Sequence, residues 1–192
     1  NPMDVKVMIL DIKQAFLYGD IKERIYIELP DEDPMKHKHK VGLLKKAMYG
    51  TRSAPQVWQN LVREKMLEMG FKESVEAPCL YVHDTRGLKI VTHVDDFLCS
   101  GSYDQLMWFK SQLEGQFTLK SDILGQGAGE AREGCFLGRR IQVHAWGMSY
   151  EGDPKHSEIL LNEWNMKDCA EARTPGANGE EEAGDEIELN QN

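Results

Sequence analysis

Between Cys79 and Gly101 the chain reads CLYVHDTRGLKIVTHVDDFLCSG. Three apolar, β-branched runs stand in immediate succession, separated by turn signals at DTRG and at the paired aspartates. No other stretch limits the fold as strongly, because two strands joined by so short a link must double back as a tight hairpin. Asp95 and Asp96 occupy that second link, between runs that otherwise read as buried strand. Local pattern leaves two readings open. Asp-Asp is ordinary turn chemistry, and adjacent carboxylates are also the beginning of a metal site.

The rest of the chain supplies the partners for these strands. VKVMILDI (5–12) reads as a buried strand whose period-two alternation puts Val7, Ile9 and Asp11 on one face. AFLYGD turns at Gly19, and the alternation of Ile21, Ile25, Ile27 and Leu29 predicts a strand that Pro30 ends. A polar loop, DEDPMKHKHK, precedes the short apolar segment VGLLKKAMYG. Residues 53–70 predict a helix, with a Ser53–Gln56 capping box, Pro55 in the first turn, Gly70 past the end, and a stripe of Trp58, Leu61, Val62, Lys65 and Met69. A second helix is predicted over 102–117, with Leu106, Phe109 and Leu113 inward and a second capping box at Ser102–Gln105. After the glycine-rich LGQGAGEAREG, residues 135–152 predict a hairpin turning near Trp146-Gly147, and Asp153 is expected to cap a third helix. This order of elements is that of an α+β fold without internal repeats.

Asp11 closes one strand and Asp95 opens the hairpin turn 84 residues later. If the two elements pair in one sheet, Asp11, Asp95 and Asp96 converge. Three anions in one place repel unless protonated or neutralised by cations. Carboxylate oxygens suit Mg²⁺, and two such ions serve an in-line phosphoryl displacement.

Composition narrows the classes. A content of 41% hydrophobic and 29% charged residues in 192 fits a globular protein with a real core. No apolar run approaches the ~20 residues of a membrane helix, and the first residues, NPMDVKVMIL, lack the features of a signal peptide. We therefore expect an intracellular protein with no membrane partner, cut from a longer chain. Cys79, Cys99, Cys135 and Cys169 form no C-x-x-C pair and are expected to be small buried or half-buried residues. The net charge of −9 is concentrated in GEEEAGDEIELNQN, whose six acids leave 26 acidic against 23 basic residues elsewhere. A near-neutral body with an acidic, disordered tail neither demands nor forbids nucleic acid.

DIKQAFLYGDIKERIYIELP, KAMYGTRSAPQVW, MGFKESVEAPCLYV, THVDDFLCSG and CFLGRRIQ occur in this order between about residues 5 and 175. Their sequence and spacing resemble the reverse transcriptases of copia-type LTR retrotransposons. The resemblance implies the palm of a right-hand polymerase, an antiparallel sheet packed on helices, with partial fingers and the start of a thumb. The implied division is 1–20 for the palm strand with the first catalytic motif, 21–54 for partial fingers, and 55–152 for the palm with both hairpins. Residues 153–170 would begin the thumb, and 171–192 would be the acidic tail.

The same resemblance implies roles. Asp11, Asp95 and Asp96 match the catalytic, metal-holding acids of an RNA-directed DNA polymerase that uses two Mg²⁺, with Mn²⁺ as a substitute. Phe16 matches the aromatic under the incoming sugar, and Tyr49 and Gly50 match the turn lining the nucleotide pocket. Phe136, Leu137 and Gly138 resemble the hairpin that grips the primer. His93, where the family carries Tyr, falls at a primer contact. Implied partners are an RNA or DNA template-primer, deoxynucleotides, and the integrase and RNase H of a Pol polyprotein in a cytoplasmic virus-like particle or the nucleus. Lys120 stays open between a general acid and a solvated strand lysine, and Arg52, Arg139 and Arg140 between phosphate contacts and plain surface. A catalytically silent remnant acting as a scaffold is the alternative reading of the whole chain.

Overall fold

The strand over Lys6–Ile12 (β1) is an interior strand of the large sheet, and its alternation decides what lies on either face. Met8, Leu10 and Ile12 are fully buried on one face, while Val7, Ile9 and Asp11 look the other way. The structure, a computed structural model, describes residues 5–152 and 154–169. The described residues fall into two compact units, one running to Gly152 and one containing the helix Pro154–Glu163. The predicted cap Asp153 and the acidic tail lie outside the described residues.

Within the first unit the strands after β1 are β2 (Tyr26–Glu28), β3 (Val41–Leu43), β4 (Lys72–Glu73), β5 (Leu80–His83), β6 (Leu88–His93), β7 (Asp96–Gly101), β8 (Leu119–Leu124), β9 (Glu133–Phe136), β10 (Arg139–His144) and β11 (Gly147–Gly152). Helix α1 spans Ala54–Glu68 and α2 spans Tyr103–Glu114; α3 is the helix of the second unit. A six-stranded antiparallel sheet has the order β4-β5-β6-β7-β1-β8, so the meander predicted over 79–101 docks its last strand on β1. The α+β expectation, with antiparallel sheets and helices, is borne out.

One face of this sheet meets α1 and α2. Met8, Leu10, Ile12, Leu88, Ile90, Phe97 and Cys99 form a core with Trp58, Val62 and Met66 of α1 and Leu106, Phe109 and Leu113 of α2. Burying such side chains stabilises by roughly 1.5–3 kcal/mol each, which makes this layer the main source of stability. The opposite face is covered over part of its length by the three-stranded sheet β11-β10-β9. There Leu124, Phe136 and Ile141 are buried against Val7, Ile9, Val91 and Leu98.

Several local expectations gave way to tertiary contacts. Neither capping box forms. The Ser53 hydroxyl turns to Glu23, Gln56 to Asn60, and Gln105 accepts a bond from Arg86. The run 21–30 pairs only over Tyr26–Glu28, because its partner strand is three residues long. In α1 the buried stripe is Ala54, Trp58, Val62 and Met66, with Leu61 and Met69 at its rim and Lys65 ion-paired to Glu68. Of the four cysteines only Cys99 is buried; Cys79, Cys135 and Cys169 are exposed thiols.

Candidate active site

Register gathers the acids. Asp11 on β1 stands directly opposite Asp96 on β7, and Asp96 in turn opposes His93 on β6. On the other side of β1, Asp11 opposes Lys120 of β8. Directly opposed residues share a face of the sheet, so His93, Asp96, Asp11 and Lys120 form one row across four strands. The row lies on the face away from the helices, beyond the rows in which Val91, Leu98, Ile9 and Val7 pack against the small sheet.

Asp95 joins this row from the turn. His93 pairs with Asp96, which leaves a two-residue loop of Val94 and Asp95. Val94 has φ 55°, the first-position signature of a type II′ hairpin turn. The turn is tied to its surroundings at both carbonyls. The Ile12 amide donates to the Asp95 carbonyl at 2.9 Å, and the Trp58 indole Nε1–H donates to the Val94 carbonyl at 2.5 Å.

Electrostatics follow from this crowding. Burial pushes the Asp96 carboxyl above its ordinary range; the neighbouring charges of Asp95 and Asp11 push the same way, and His93 opposes them. Sites of this kind hold the protonated acid more readily than isolated carboxylates do, or else recruit a cation. A cleft of about 470 Å³ opens beside the acids, lined by Asp11, Ile12, Lys13, Gln14, Tyr18, Asp95 and Thr118. Tyr18 is fixed in its wall, since the Thr118 amide donates to its hydroxyl at 2.8 Å; hydrogen bonding with the Thr118 side chain first, and then with this amide, lowers its pKa.

The residues matched to the nucleotide pocket also converge here. Phe16 is nearly buried, and its ring lies 4.4 Å from that of Tyr49, tilted by 45°. The Tyr49 hydroxyl donates to Asp95 Oδ2 at 3.3 Å. Burial and then the Asp95 charge raise the Tyr49 pKa, which keeps it a donor. Gly50 follows with φ 89° and open space around it, a conformation that favours glycine.

The residues matched to the primer-gripping hairpin divide. Phe136 turns inward and is buried in the core beneath the small sheet, whereas Leu137 and Gly138 form the exposed β9–β10 turn. Arg139 lies near the Tyr150 ring, and Arg140 pairs with Glu151. Trp58, Tyr18 and Thr118 were not legible as site residues. Trp58 reads as a core position on a helical stripe, and only the tertiary fold brings its indole to the turn.

As to metal, oxygen donors on Asp11, Asp95 and Asp96 suit a hard divalent cation, and their mutual repulsion is what such an ion relieves. Among the described residues no three His, Cys, Asp or Glu side chains are yet drawn around one point. Asp95 is engaged instead with Tyr49. Among the described residues, too, no helix is long and apolar enough to cross a membrane.

With this geometry in hand, the likeness to known proteins is specific. A family model described as reverse transcriptase (RNA-dependent DNA polymerase) matches residues 3–177. The chain belongs to this family. It is 29% identical over 177 residues to the retrovirus-related Pol polyprotein from transposon TNT 1-94 of Nicotiana tabacum, covering 90% of this chain and 13% of that protein. To the corresponding polyproteins from transposons RE1 and RE2 of Arabidopsis thaliana it is 35% and 31% identical, over 51% and 68% of this chain and 7% and 10% of theirs. The chain thus spans a small part of these relatives. Among solved structures, an apo telomerase from Candida tropicalis matches 77% of this chain and 36% of its own, at 13% identity and a TM-score of 0.44. The copia-type resemblance read from the motifs is borne out by these relatives.

Proposed function

We propose that this reverse transcriptase chain is the palm, with partial fingers and the start of a thumb, of an RNA-directed DNA polymerase. The observation that carries the reading is the direct register of Asp11 with Asp96, with Asp95 presented beside them from a turn tied to β1. Asp11, Asp95 and Asp96 would hold two Mg²⁺, or Mn²⁺ in their place. Such ions, when bound, would supply charge neutralisation of the α-phosphate and a lower pKa for the primer 3′-hydroxyl that attacks in line with the departing pyrophosphate.

The chain's own residues do the positioning. Phe16, backed by Tyr49, forms the wall against which the deoxyribose sits and which leaves no room for a ribose 2′-hydroxyl. Tyr49 orients Asp95 through its hydroxyl, and Gly50 leaves space beside the template base. His93 and the Leu137-Gly138 turn contact the primer strand, while Phe136 supports that turn from below. Lys120 stands opposite Asp11 in the sheet register. The expected partners are template-primer, deoxynucleotides, and the integrase and RNase H of the same polyprotein, working inside the cell in a virus-like particle or the nucleus.

Primer extension on poly(rA)/oligo(dT) tests this reading. The wild-type chain should extend the primer only with Mg²⁺ or Mn²⁺, and Asp95→Asn should lower the rate about a thousandfold, the scale on which preorganised charge stabilisation acts. No extension by the wild-type chain with an N-terminal segment restored overturns the polymerase reading. Extension that survives Asp95→Asn overturns the site assignment.

A further inference from the structure

The turn that presents the acids adopts a conformation its own sequence disfavours. Val94 is β-branched, and a β-branched residue at φ 55° is a true outlier, because its branched Cβ crowds the backbone there. Val94 is 41% exposed, so packing of the valine itself does little to hold it in place. Two bonds from outside the hairpin reach the turn, from the Ile12 amide to Asp95 and from Trp58 to Val94 itself; the Trp58 indole is buried in α1 and its Nε1–H reaches the Val94 carbonyl. Trp58 is itself fixed, with its ring edge-on to Phe117 at 5.5 Å. Phe117 stands edge-on to Tyr18, the residue that lines the cleft beside Asp11.

We propose that Trp58 is a positioning residue for the acids. Its indole N–H holds Val94 in the left-handed conformation and thereby sets the direction in which Asp95 and Asp96 leave the turn. Trp58 touches neither nucleotide nor metal; it acts through the Val94 peptide. The inference rests on the reading of these aspartates as the metal-holding acids. Without the bond, Val94 relaxes to negative φ, the peptide rotates, and Asp95 is displaced from Asp11 and Asp96. A purely structural Trp58, a core side chain with a satisfied N–H, would show no coupling to the acids in a folded variant.

The test uses the whole chain and three substitutions: Trp58→Phe, β-(3-benzothienyl)alanine at position 58, and Val94→Gly combined with each. The benzothienyl group keeps the size and shape of the indole and lacks only the N–H donor, so it remains informative if Trp58→Phe fails to fold. In the wild-type chain the Trp58 indole proton should exchange with solvent far more slowly than those of the exposed Trp146 and Trp164. Binding of Mn²⁺, followed by electron paramagnetic resonance, should weaken about tenfold on loss of the donor, the scale of one strained backbone conformation. The unfolding temperature should stay near that of the wild type. Adding Val94→Gly, which occupies positive φ without penalty, should recover most of the lost affinity. In extension assays the same variants should lower kcat and leave the KM for deoxynucleotide in place.

Mn²⁺ affinity within twofold of wild type in the folded benzothienyl variant overturns the proposal. So does a loss that Val94→Gly leaves unrepaired, or a fast-exchanging Trp58 indole. A wild-type chain that binds Mn²⁺ and, with an N-terminal segment restored, extends no primer overturns the polymerase reading alone; one that binds no Mn²⁺ overturns both.

Discussion

The turns β6–β7 and β9–β10 are built alike and held differently. Each is a two-residue link between registered antiparallel strands, Val94-Asp95 in one and Leu137-Gly138 in the other. Each carries a non-glycine residue at positive φ, Val94 at 55° and Leu137 at 51°. In the second turn Gly138 follows at φ 70°, so both positions have the sign of a type I′ turn, a shape that local chemistry partly supplies. In the first turn no glycine helps, and two hydrogen bonds from outside the hairpin hold the shape. A turn fixed by its own residues can vary with little effect on distant parts of the chain. One fixed from α1 and β1 can move only if they do, and that suits a turn whose carboxylates must meet a third.

The contrast is broken most strongly at the base of the second turn. Gly134 of β9 lies so close to the large sheet that a Cβ there would be 2.5 Å from Ile9 Cδ1 and 3.1 Å from Leu124 Cδ2. Gly134→Val should cost about 1–3 kcal/mol by overpacking, read as a lower midpoint in urea. The small sheet should loosen while the Trp58 indole keeps its slow exchange; loss of that protection at the same urea concentration would show that the two turns share one support.

A smaller effect of opposite sign is expected at Leu137, which is 48% exposed. Leu137→Asn replaces a residue strained at positive φ with one that tolerates it, and should stabilise the chain by about 1 kcal/mol. The same change removes an apolar contact from the proposed primer face, so the Kd for template-primer should rise. A variant that gains stability and keeps full affinity would remove Leu137 from that face.

The smallest effect concerns the glycine-rich loop leading into β9. Glu130 accepts bonds from Lys6 Nζ at 2.8 Å and from the Gly127 amide at 2.6 Å. The Lys6 partner first, and then the Gly127 amide, hold its carboxyl below the ordinary glutamate range. A depressed folded pKa means that the contribution is present above the unfolded pKa of about 4.3 and disappears as pH falls through the lower, folded value. The difference in Tm between wild type and Glu130→Gln should therefore be full at neutral pH and vanish in acid. A difference that persists unchanged at low pH would mean that shape rather than charge holds the loop.

Legibility in the sequence followed the range of the interactions. Alternation over 5–12 and the turn signals over 79–101 depend on neighbours two to four residues away, and both gave the right strands. The inward residues of α2 were readable for the same reason. Capping boxes were misread because Ser53 and Gln105 found partners at Glu23 and Arg86, tens of residues away or on another element. Motif likeness singles out Asp11, Asp95 and Asp96 as candidates. Their alignment with His93 and Lys120 in one row depends on register across four strands, and no local pattern encodes that. The separation of Phe136 from Leu137 likewise needs the small sheet to be in place before inside and outside are defined.

The alternation of β1 has a consequence for how the chain finds this arrangement. Asp11 and Asp96 face away from the helices, while their immediate neighbours Ile12, Leu10 and Phe97 are buried beneath them. A strand shifted by one residue exchanges its two faces. In β1 that shift would drive the Asp11 carboxylate into the buried layer beneath the helices and turn Ile12 out to the end of the sheet that the small sheet leaves uncovered, a cost of several kcal/mol. The acids proposed for catalysis thus act during folding as a check on alignment: a misthreaded sheet is rejected by the same charges that the correctly threaded one puts to use.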